Sequence, residues 1–283
     1  MAYHAFVAMP FGTKENIDFN KVYTDYIKPT LEGAGFEVFR ADEEMRAGDI
    51  RTDMFQELLL ADLVVADLSI DNPNVWYELG VRHALRARGV IGIRCRRDYM
   101  PFDVYTDRSL SYRLKENPPA AAIPDPEHLE EDKKKLAQFA TETINAWYER
   151  KISPVYHLLP YLKEPNFNSL RVEGAKEFWS WVARIEIARK ENRPGDILVL
   201  AEEAPNIGFR VETHRSAGNA LRSLGQYALA LGQYEKALVL APEDLDSRRQ
   251  KGLLLGRLKK SDAAKEWLQN VVKDVADDAE SWA

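Results

Sequence analysis

The sequence is poor in cysteine, with Cys95 as the one cysteine among its 283 residues. It therefore cannot form an intramolecular disulfide or a cysteine-based metal cluster. The histidines are scattered, without a spacing typical of metal ligands. No apolar run reaches the roughly 18 residues of a membrane span, and the N-terminal segment lacks the features of a signal peptide. These absences predict a soluble, cytoplasmic protein without a metal site or a membrane partner.

The chain also lacks a strong charge of either sign, with 39 Lys and Arg against 45 Asp and Glu and a formal net charge of -6. A mild acidic excess gives no electrostatic reason to expect nucleic acid as a partner. The sequence has no P-loop, no GxGxxG and no Ser-His-Asp signature. Hydrophobic residues make up 45% of the chain, which is enough for about two domains of ordinary globular size.

Short apolar runs alternate with helical patterns over the first part of the chain. Strands that alternate with helices imply parallel pairing through right-handed crossovers. We therefore predict an α/β fold with a parallel sheet at the N-terminus. Strands are expected at 5–9, 36–40, 63–68, 90–93 and 109–114, and helices at 20–31, 50–59 and 75–88.

A proline-rich stretch, residues 116–126, carries four prolines and few large side chains. This composition is typical of a linker, so we place a domain boundary there. Later apolar helical patterns around Trp179 and Trp181 are expected to form a core. The predicted organisation is an α/β domain over 1–120, a helical connecting region over 121–206 and helical repeats over 207–283.

The C-terminal residues repeat at an interval of 34, as from Gly218 to Gly252. The segment 225–242 closely resembles the second helix of a tetratricopeptide repeat, and the small residues at equivalent places permit close helix packing. Trp282 falls at the start of a third repeat, so we expect a truncated array that continues beyond this sequence. Further pairs keep the interval: Leu221 and Leu255, Leu224 and Leu258, Ala230 and Ala264, Asp244 and Asp278.

Two loops at the carboxyl ends of predicted strands form the candidate site, because ligands bind at this edge of an open parallel sheet. Asn72 and Pro73 make a favourable helix start, whose N–H groups suit a phosphate. Glu78 follows in the early turns of this helix and is the candidate catalytic residue. The predicted ligand-binding residues are Pro10, Phe11, Gly12, Asp67, Asp71, Asn72 and Asn74.

A carboxylate in this position could cleave an N-glycosidic bond by stabilising an oxocarbenium-like transition state or by attacking the sugar carbon. Nicotinamide leaves NAD as a neutral base and needs no general acid, whereas a purine usually needs protonation. Asp67 and Asp71 are possible helpers. A structural alternative is equally open, because Arg82 lies four residues after Glu78 and could form a helix-surface ion pair with it. Asp67 could likewise brace a loop, and Asn72 and Asn74 could serve only as turn and cap residues.

The segments 6–12 and 61–80, the second including Asn72-Pro73-Asn74-Val75-Trp76-Tyr77-Glu78-Leu79-Gly80, resemble the nucleoside 2-deoxyribosyltransferase and TIR-like superfamily. The resemblance implies a flavodoxin- or TIR-like sheet and assigns the role of the NAD-cleaving glutamate to Glu78. The deoxyribosyltransferases carry an aspartate six residues before their glutamate, where this chain has Asn72, and this difference favours NAD cleavage over transfer.

Most of the chain is also similar to bacterial proteins related to the TRAF-binding central region of apoptosis signal-regulating kinases, with 101–104 and 153–156 as further markers. This resemblance implies a signalling, stress or defence protein whose repeats bind a protein partner and which forms a possible homo-oligomer. NAD or another nucleotide would be its small ligand, with no further cofactor required. The alternative is a non-enzymatic scaffold with a degenerate nucleotide-binding domain.

Overall fold

A computed structural model describes residues 3–41, 50–97, 109–149, 151–159, 161–165 and 176–274, except for the side chains of 50–53 and 176. The chain divides into two compact units, Met1–Leu159 and Pro160–Ala283. The first is built around a parallel sheet and the second is helical in the residues described. The predicted order of an α/β region followed by a helical region is therefore confirmed.

The main sheet of the first unit has five strands in the order β4-β1-β5-β6-β7, and every neighbouring pair is parallel. β5 is buried at all positions, as expected for an apolar strand covered on both faces. The five predicted strands are confirmed, with shifts of one to three residues at several ends. The strands are β1 Tyr3–Ala8, β4 Phe36–Arg40, β5 Leu63–Asp67, β6 Val90–Arg94 and β7 Ser109–Ser111; the short β2 and β3 are Thr13–Lys14 and Ile17–Asp18.

The helices that connect these strands also follow the predictions. The first runs through α1 Phe19–Lys21, π-helical turns over Val22–Ile27 and α2 Lys28–Gly33. It stops before Gly35, whose φ of 89° is readily adopted only by glycine. The other two are α3 Ile50–Leu60 and α4 Pro73–Leu85.

Arg82 of α4 joins three elements of the first unit. Its side chain is fully buried. The guanidinium donates to the carbonyl oxygens of Leu58 and Ala61, at the end of α3, and to those of Arg88 and Gly89, before β6. Helix C-termini leave carbonyl groups without intrahelical partners, so Arg82 satisfies acceptors that α3 cannot.

The proline-rich stretch 116–126 forms a hairpin rather than the predicted linker. Strands β8 Leu114–Asn117 and β9 Ala120–Pro124 pair antiparallel, and β9 also pairs with β3. Pro118 and Pro119 form the turn between these strands, Pro124 ends β9 and Pro126 follows it, so the prolines avoid strand interiors, where an N–H donor is needed. The proline content thus reflects a second, four-stranded sheet, in the order β2-β3-β9-β8.

Helices α5 Leu129–Asn145 and α6 Pro154–Leu158 belong to the first unit, beyond the predicted boundary at residue 120. α5 packs against α2 and buries Leu136, Ala140 and Ile144. The Ser153 hydroxyl donates to the carbonyl of His83 at 2.6 Å, which ties the start of α6 to α4. The first compact unit therefore extends to Leu159 and takes in the first part of the predicted connecting region.

The second unit consists of consecutive helices in which each packs on the next. One helix ends at Lys190 and the next begins at Pro194, as expected where a proline cannot continue a helix. Of the two tryptophans expected in the core, Trp181 is buried and Trp179 is half-buried. The helices are α7 Lys176–Lys190, α8 Pro194–Glu202, α9 Arg210–Ser223, α10 Tyr227–Leu240, α11 Leu245–Arg257 and α12 Ser261–Asp274, with a 3-10 turn at Ile207–Phe209.

The interval of 34 residues recurs in the packing of the last four helices. A Cβ atom added to Gly218 would lie 2.9 Å from the ring of Tyr234, and one added to Gly252 would collide with Leu268. Gly218 and Gly252 are 34 residues apart, and so are Tyr234 and Leu268. The two helix pairs therefore approach closely at equivalent glycines. Asp278, Trp282 and the marker segment 101–104 lie outside the described residues. No helix in the described ranges is long and apolar enough to cross a membrane.

Candidate functional site

The topology brings the two predicted loops to one edge of the main sheet. β1 and β5 are adjacent and parallel, so the segments that follow them, 9–12 and 68–72, leave from the same edge. In open α/β sheets this edge is where ligands bind. β4 lies on the other side of β1 and ends here at Arg40.

The first loop, 9–12, places one aromatic ring in solvent. Pro10 is buried, whereas Phe11 is 44% exposed. Gly12 has a φ of 68°, a conformation that favours glycine. Its N–H donates to Asn20 Oδ1 at 3.4 Å, and its carbonyl accepts the N–H of Phe19 at 3.0 Å. The loop is therefore fastened at Gly12 and presents Phe11 outward.

Arg40 also contacts the first loop, and the sequence patterns did not single it out. Its guanidinium carbon lies 5.4 Å from the ring centre of Phe11 and 4.2 Å from that of Tyr23. Gly12 was selected because it follows the carboxyl end of a predicted strand, and Arg40 also lies at the carboxyl end of one. The sequence therefore contained the information needed to select Arg40.

Asn72 caps α4, as one of the sequence alternatives proposed. Its Oδ1 accepts the N–H groups of Asn74 at 3.0 Å and Val75 at 3.4 Å, and its carbonyl accepts that of Trp76. Pro73 has no N–H. The first N–H groups of α4 are therefore already engaged, which removes the basis for a phosphate site at this helix start. Asn74 itself is exposed.

Asp71 and Arg97 form an ion pair beside the second loop. Asp71 Oδ1 lies 2.6 Å from Arg97 Nη2, and the Asp71 side chain is 75% exposed. Arg97 also donates to the carbonyl of Leu68 at 3.1 Å and lies over the ring of Trp76, at 5.6 Å from its centre. Arg97 thus braces this loop, and Asp71 is engaged at its rim.

Asp67 is fully enclosed and forms the centre of a polar network. Its Oδ1 accepts the N–H of Ser69 at 2.9 Å and the Ser69 hydroxyl, and its Oδ2 accepts the Tyr112 hydroxyl at 2.8 Å. The Cys95 N–H donates to the Ser69 hydroxyl oxygen at 2.9 Å. Burial raises the pKa of Asp67. Both oxygens of Asp67 therefore brace the ends of neighbouring strands, which is the structural role considered for it.

Glu78 lies on the inward stripe of α4. Val75, Leu79 and Arg82 are buried, and Glu78 falls between them at helical spacing, so it shares their face. Glu78 itself is half-buried. Within the part of the chain that the structure describes, its carboxyl has no hydrogen bond and no ion pair.

The predicted alternative, an ion pair between Glu78 and Arg82, is wrong. Arg82 points inward to four carbonyl groups and does not shift the pKa of Glu78. Burial alone raises the pKa of Glu78 from 4.5 to about 7, because the charged form loses hydration. The Glu78 carboxyl therefore changes its protonation state close to neutral pH.

The site thus contains two kinds of predicted residue. Phe11, Asn74 and Glu78 retain side-chain groups that can meet a ligand, whereas Asp67, Asp71 and Asn72 already have partners in the protein. No group of three or more His, Cys, Asp or Glu side chains able to hold a metal ion occurs among the described residues. No protein-family model matches this chain, and a search of the curated proteins found no match.

Proposed function

We propose that the first unit binds a nucleotide, with NAD as the leading candidate, and cleaves its N-glycosidic bond with Glu78 as the catalytic carboxylate. The observation that carries this proposal is the partly buried Glu78 carboxyl, which has no partner in the described residues and lies in the helix at the ligand-binding edge of the sheet. A carboxyl group with a strongly perturbed pKa in such a place is a candidate functional group.

The environment of Glu78 suits an oxocarbenium-like transition state. When charge develops on the ribose, a nearby carboxylate in a poorly hydrated site stabilises it more than it would in water. Because no arginine or lysine among the described residues pairs with Glu78, its charge is available to the sugar. The same carboxylate could attack the sugar carbon and form a covalent intermediate.

The contacts of Asp67 and Asp71 favour a substrate whose leaving group needs no proton. Asp67 is enclosed and bonded to Ser69 and Tyr112, and Asp71 is paired with Arg97. Neither is well placed to protonate a departing purine. Nicotinamide departs from NAD as a neutral base, which favours NAD over purine nucleosides as the substrate.

The second unit supports the protein-interaction part of the proposal. Its closely packed helix pairs repeat at the interval of a tetratricopeptide array, and such arrays offer extended surfaces to protein partners. We accordingly propose a cytoplasmic signalling, stress or defence protein in which the helical unit binds a partner or promotes self-association, and the first unit acts on the nucleotide.

A non-enzymatic scaffold is the second candidate, and a specific observation favours it. Asn72 engages the first N–H groups of α4, and Asp67 engages both its oxygens within the protein. A site in which these groups are internally satisfied fits a domain that has kept its fold and no longer holds a nucleotide there.

Release of nicotinamide from NAD by the full-length protein at high concentration tests the proposal. Wild type, Glu78→Gln and the control Glu32→Gln, which changes an exposed glutamate, are compared after their folding has been checked by circular dichroism. We expect release by wild type and Glu32→Gln and a loss of at least about 100-fold in Glu78→Gln. Equal release by all three proteins would exclude Glu78. If no protein cleaves NAD or a panel of nucleotides, even under crowding, the scaffold is favoured.

A further inference from the structure

The side chain of Arg40 is held behind the first loop, between two aromatic rings. The residue is 6% exposed. Its guanidinium carbon lies 4.2 Å from the ring centre of Tyr23 and 5.4 Å from that of Phe11. A planar guanidinium can stack on both rings, and a cation over an aromatic face is stabilised further when it is removed from water. Arg40 therefore links the exposed ring of Phe11 to the buried ring of Tyr23.

The polar ends of the same guanidinium contact the rest of the loop. Nη1 lies 3.9 Å from the sulfur of Met9, and Nη2 donates to Asn20 Oδ1 at 3.3 Å. That oxygen also accepts the N–H of Gly12 at 3.4 Å. Arg40 thus reaches Met9 and Phe11 directly and Gly12 through Asn20, so one side chain acts on most of the loop.

We propose that Arg40 is a positioning residue that holds Phe11 in place at the sheet edge where the nucleotide is proposed to bind. The proposal rests on the proposed function for the ligand that Phe11 meets, but the contact between Arg40 and Phe11 can be tested without a ligand. Lysine keeps the charge of arginine but lacks its planar group and its second donor nitrogen. Arg40→Lys, which conserves the charge, should therefore free the Phe11 ring from its contact with residue 40.

A fluorine label on Phe11 tests the positioning role directly. Trifluoromethylphenylalanine is placed at position 11 of the full chain, in the wild-type background and in Arg40→Lys, and the ¹⁹F resonance is recorded without ligand. Asn20→Ala, at an exposed position, is a second variant that removes the shared acceptor. The control is Arg96→Lys, where the arginine pairs with Glu116. We expect a displaced or broadened resonance in Arg40→Lys, a smaller change in Asn20→Ala and none in Arg96→Lys.

Kinetics separate this inference from the proposed function. If wild type cleaves NAD, we expect Arg40→Lys to raise KM by about fivefold and to change kcat by less than about twofold, because ligand placement is impaired and the Glu78 chemistry is not. A fluorine resonance unchanged in both Arg40→Lys and Asn20→Ala would overturn the positioning role even if NAD is cleaved. A displaced resonance in a protein that cleaves no nucleotide would support it and count only against the proposed function.

Discussion

Glu78 combines partial burial with the absence of a partner in the described residues, and this combination has a cost for folding. Its pKa is raised to about 7 in the folded protein, against 4.5 for an ordinary glutamate. Between these two values the folded state binds the proton more tightly than the unfolded state does. The free energy of unfolding therefore falls as pH rises through this window, and the penalty is complete above pH 7.

Glu78→Gln should consequently stabilise the protein at high pH, because glutamine has a similar shape and no charge. We expect a gain in the free energy of unfolding of up to about 3 kcal/mol at pH 8 and of less than about 1 kcal/mol at pH 5. Urea denaturation at the two pH values measures it, with Glu32→Gln as the control. A gain that is absent at pH 8, or equal at both pH values, would show that the Glu78 carboxyl is hydrated or paired.

The position of Glu78 could be predicted from the sequence, but its surroundings could not. The order of strand, loop and helix placed it at the carboxyl edge of the sheet, where open α/β folds bind ligands. The ion pair with Arg82 was a reasonable expectation from their spacing alone. Two of the four carbonyl groups that bind Arg82, those of Leu58 and Ala61 at the end of α3, lie more than twenty residues away in the sequence, and the local sequence gives no information on these contacts. Arg82 does continue the buried stripe of Val75 and Leu79, which is the one sequence signal for its inward direction.

At the scale of elements, Arg82 is expected to hold α3, α4 and the turn before β6 together. Arg82→Met would keep much of the apolar stem and leave four carbonyl groups without this donor. Buried polar groups that lose their partners are costly, so we expect a loss of about 3–5 kcal/mol in the free energy of unfolding. Urea denaturation measures it, and a loss below about 1 kcal/mol would contradict the bracing role. Arg82→Lys should recover little of the loss, since one ammonium group cannot reach all four oxygens.

In the helical unit, two glycines in neighbouring helices provide a matched comparison. A Cβ atom at Gly218 would meet Tyr234, whereas one at Gly232 has no neighbour within 4 Å. We expect Gly218→Ala to lower the free energy of unfolding by about 1–3 kcal/mol through overpacking and Gly232→Ala to raise it by about 0.5–1 kcal/mol. Thermal denaturation of both variants checks the expectation, which fails if the two changes have the same sign.

Sequence patterns predicted the regular elements well where the pattern was local and poorly where pairing was distant. The buried strands β1 and β5 follow from their apolar runs. The hairpin over Leu114–Asn117 and Ala120–Pro124 lies where the prolines predict a linker, because proline content alone does not distinguish the turn of a hairpin from a connection between domains. Its pairing with β3, through Ala122 and Ile17, joins residues too distant in sequence for any local pattern to reveal.

At the scale of the whole molecule, the extent of the first unit leads to a test by truncation. α5 buries Leu136, Ala140 and Ile144 within it. We expect a fragment of residues 1–159 to unfold cooperatively, and a fragment of residues 1–120 to be aggregated or unfolded because its sheet and helix faces would be uncovered. Thermal denaturation followed by circular dichroism measures both. A cooperative transition in the fragment of residues 1–120 would contradict this extent of the first unit and support a domain boundary at residue 120.

The measurement that tests the central claim most directly is the titration of the Glu78 carboxyl carbon by NMR, with the resonance assigned by its loss in Glu78→Gln. It is made on the full chain, alone and with a carbocyclic NAD analogue that cannot be cleaved. We predict a pKa of about 7 without ligand and a fall of about one pH unit with the analogue, because the nicotinamide cation favours the carboxylate. A pKa near 4.5 that the analogue does not change would contradict both the geometry of Glu78 and its role.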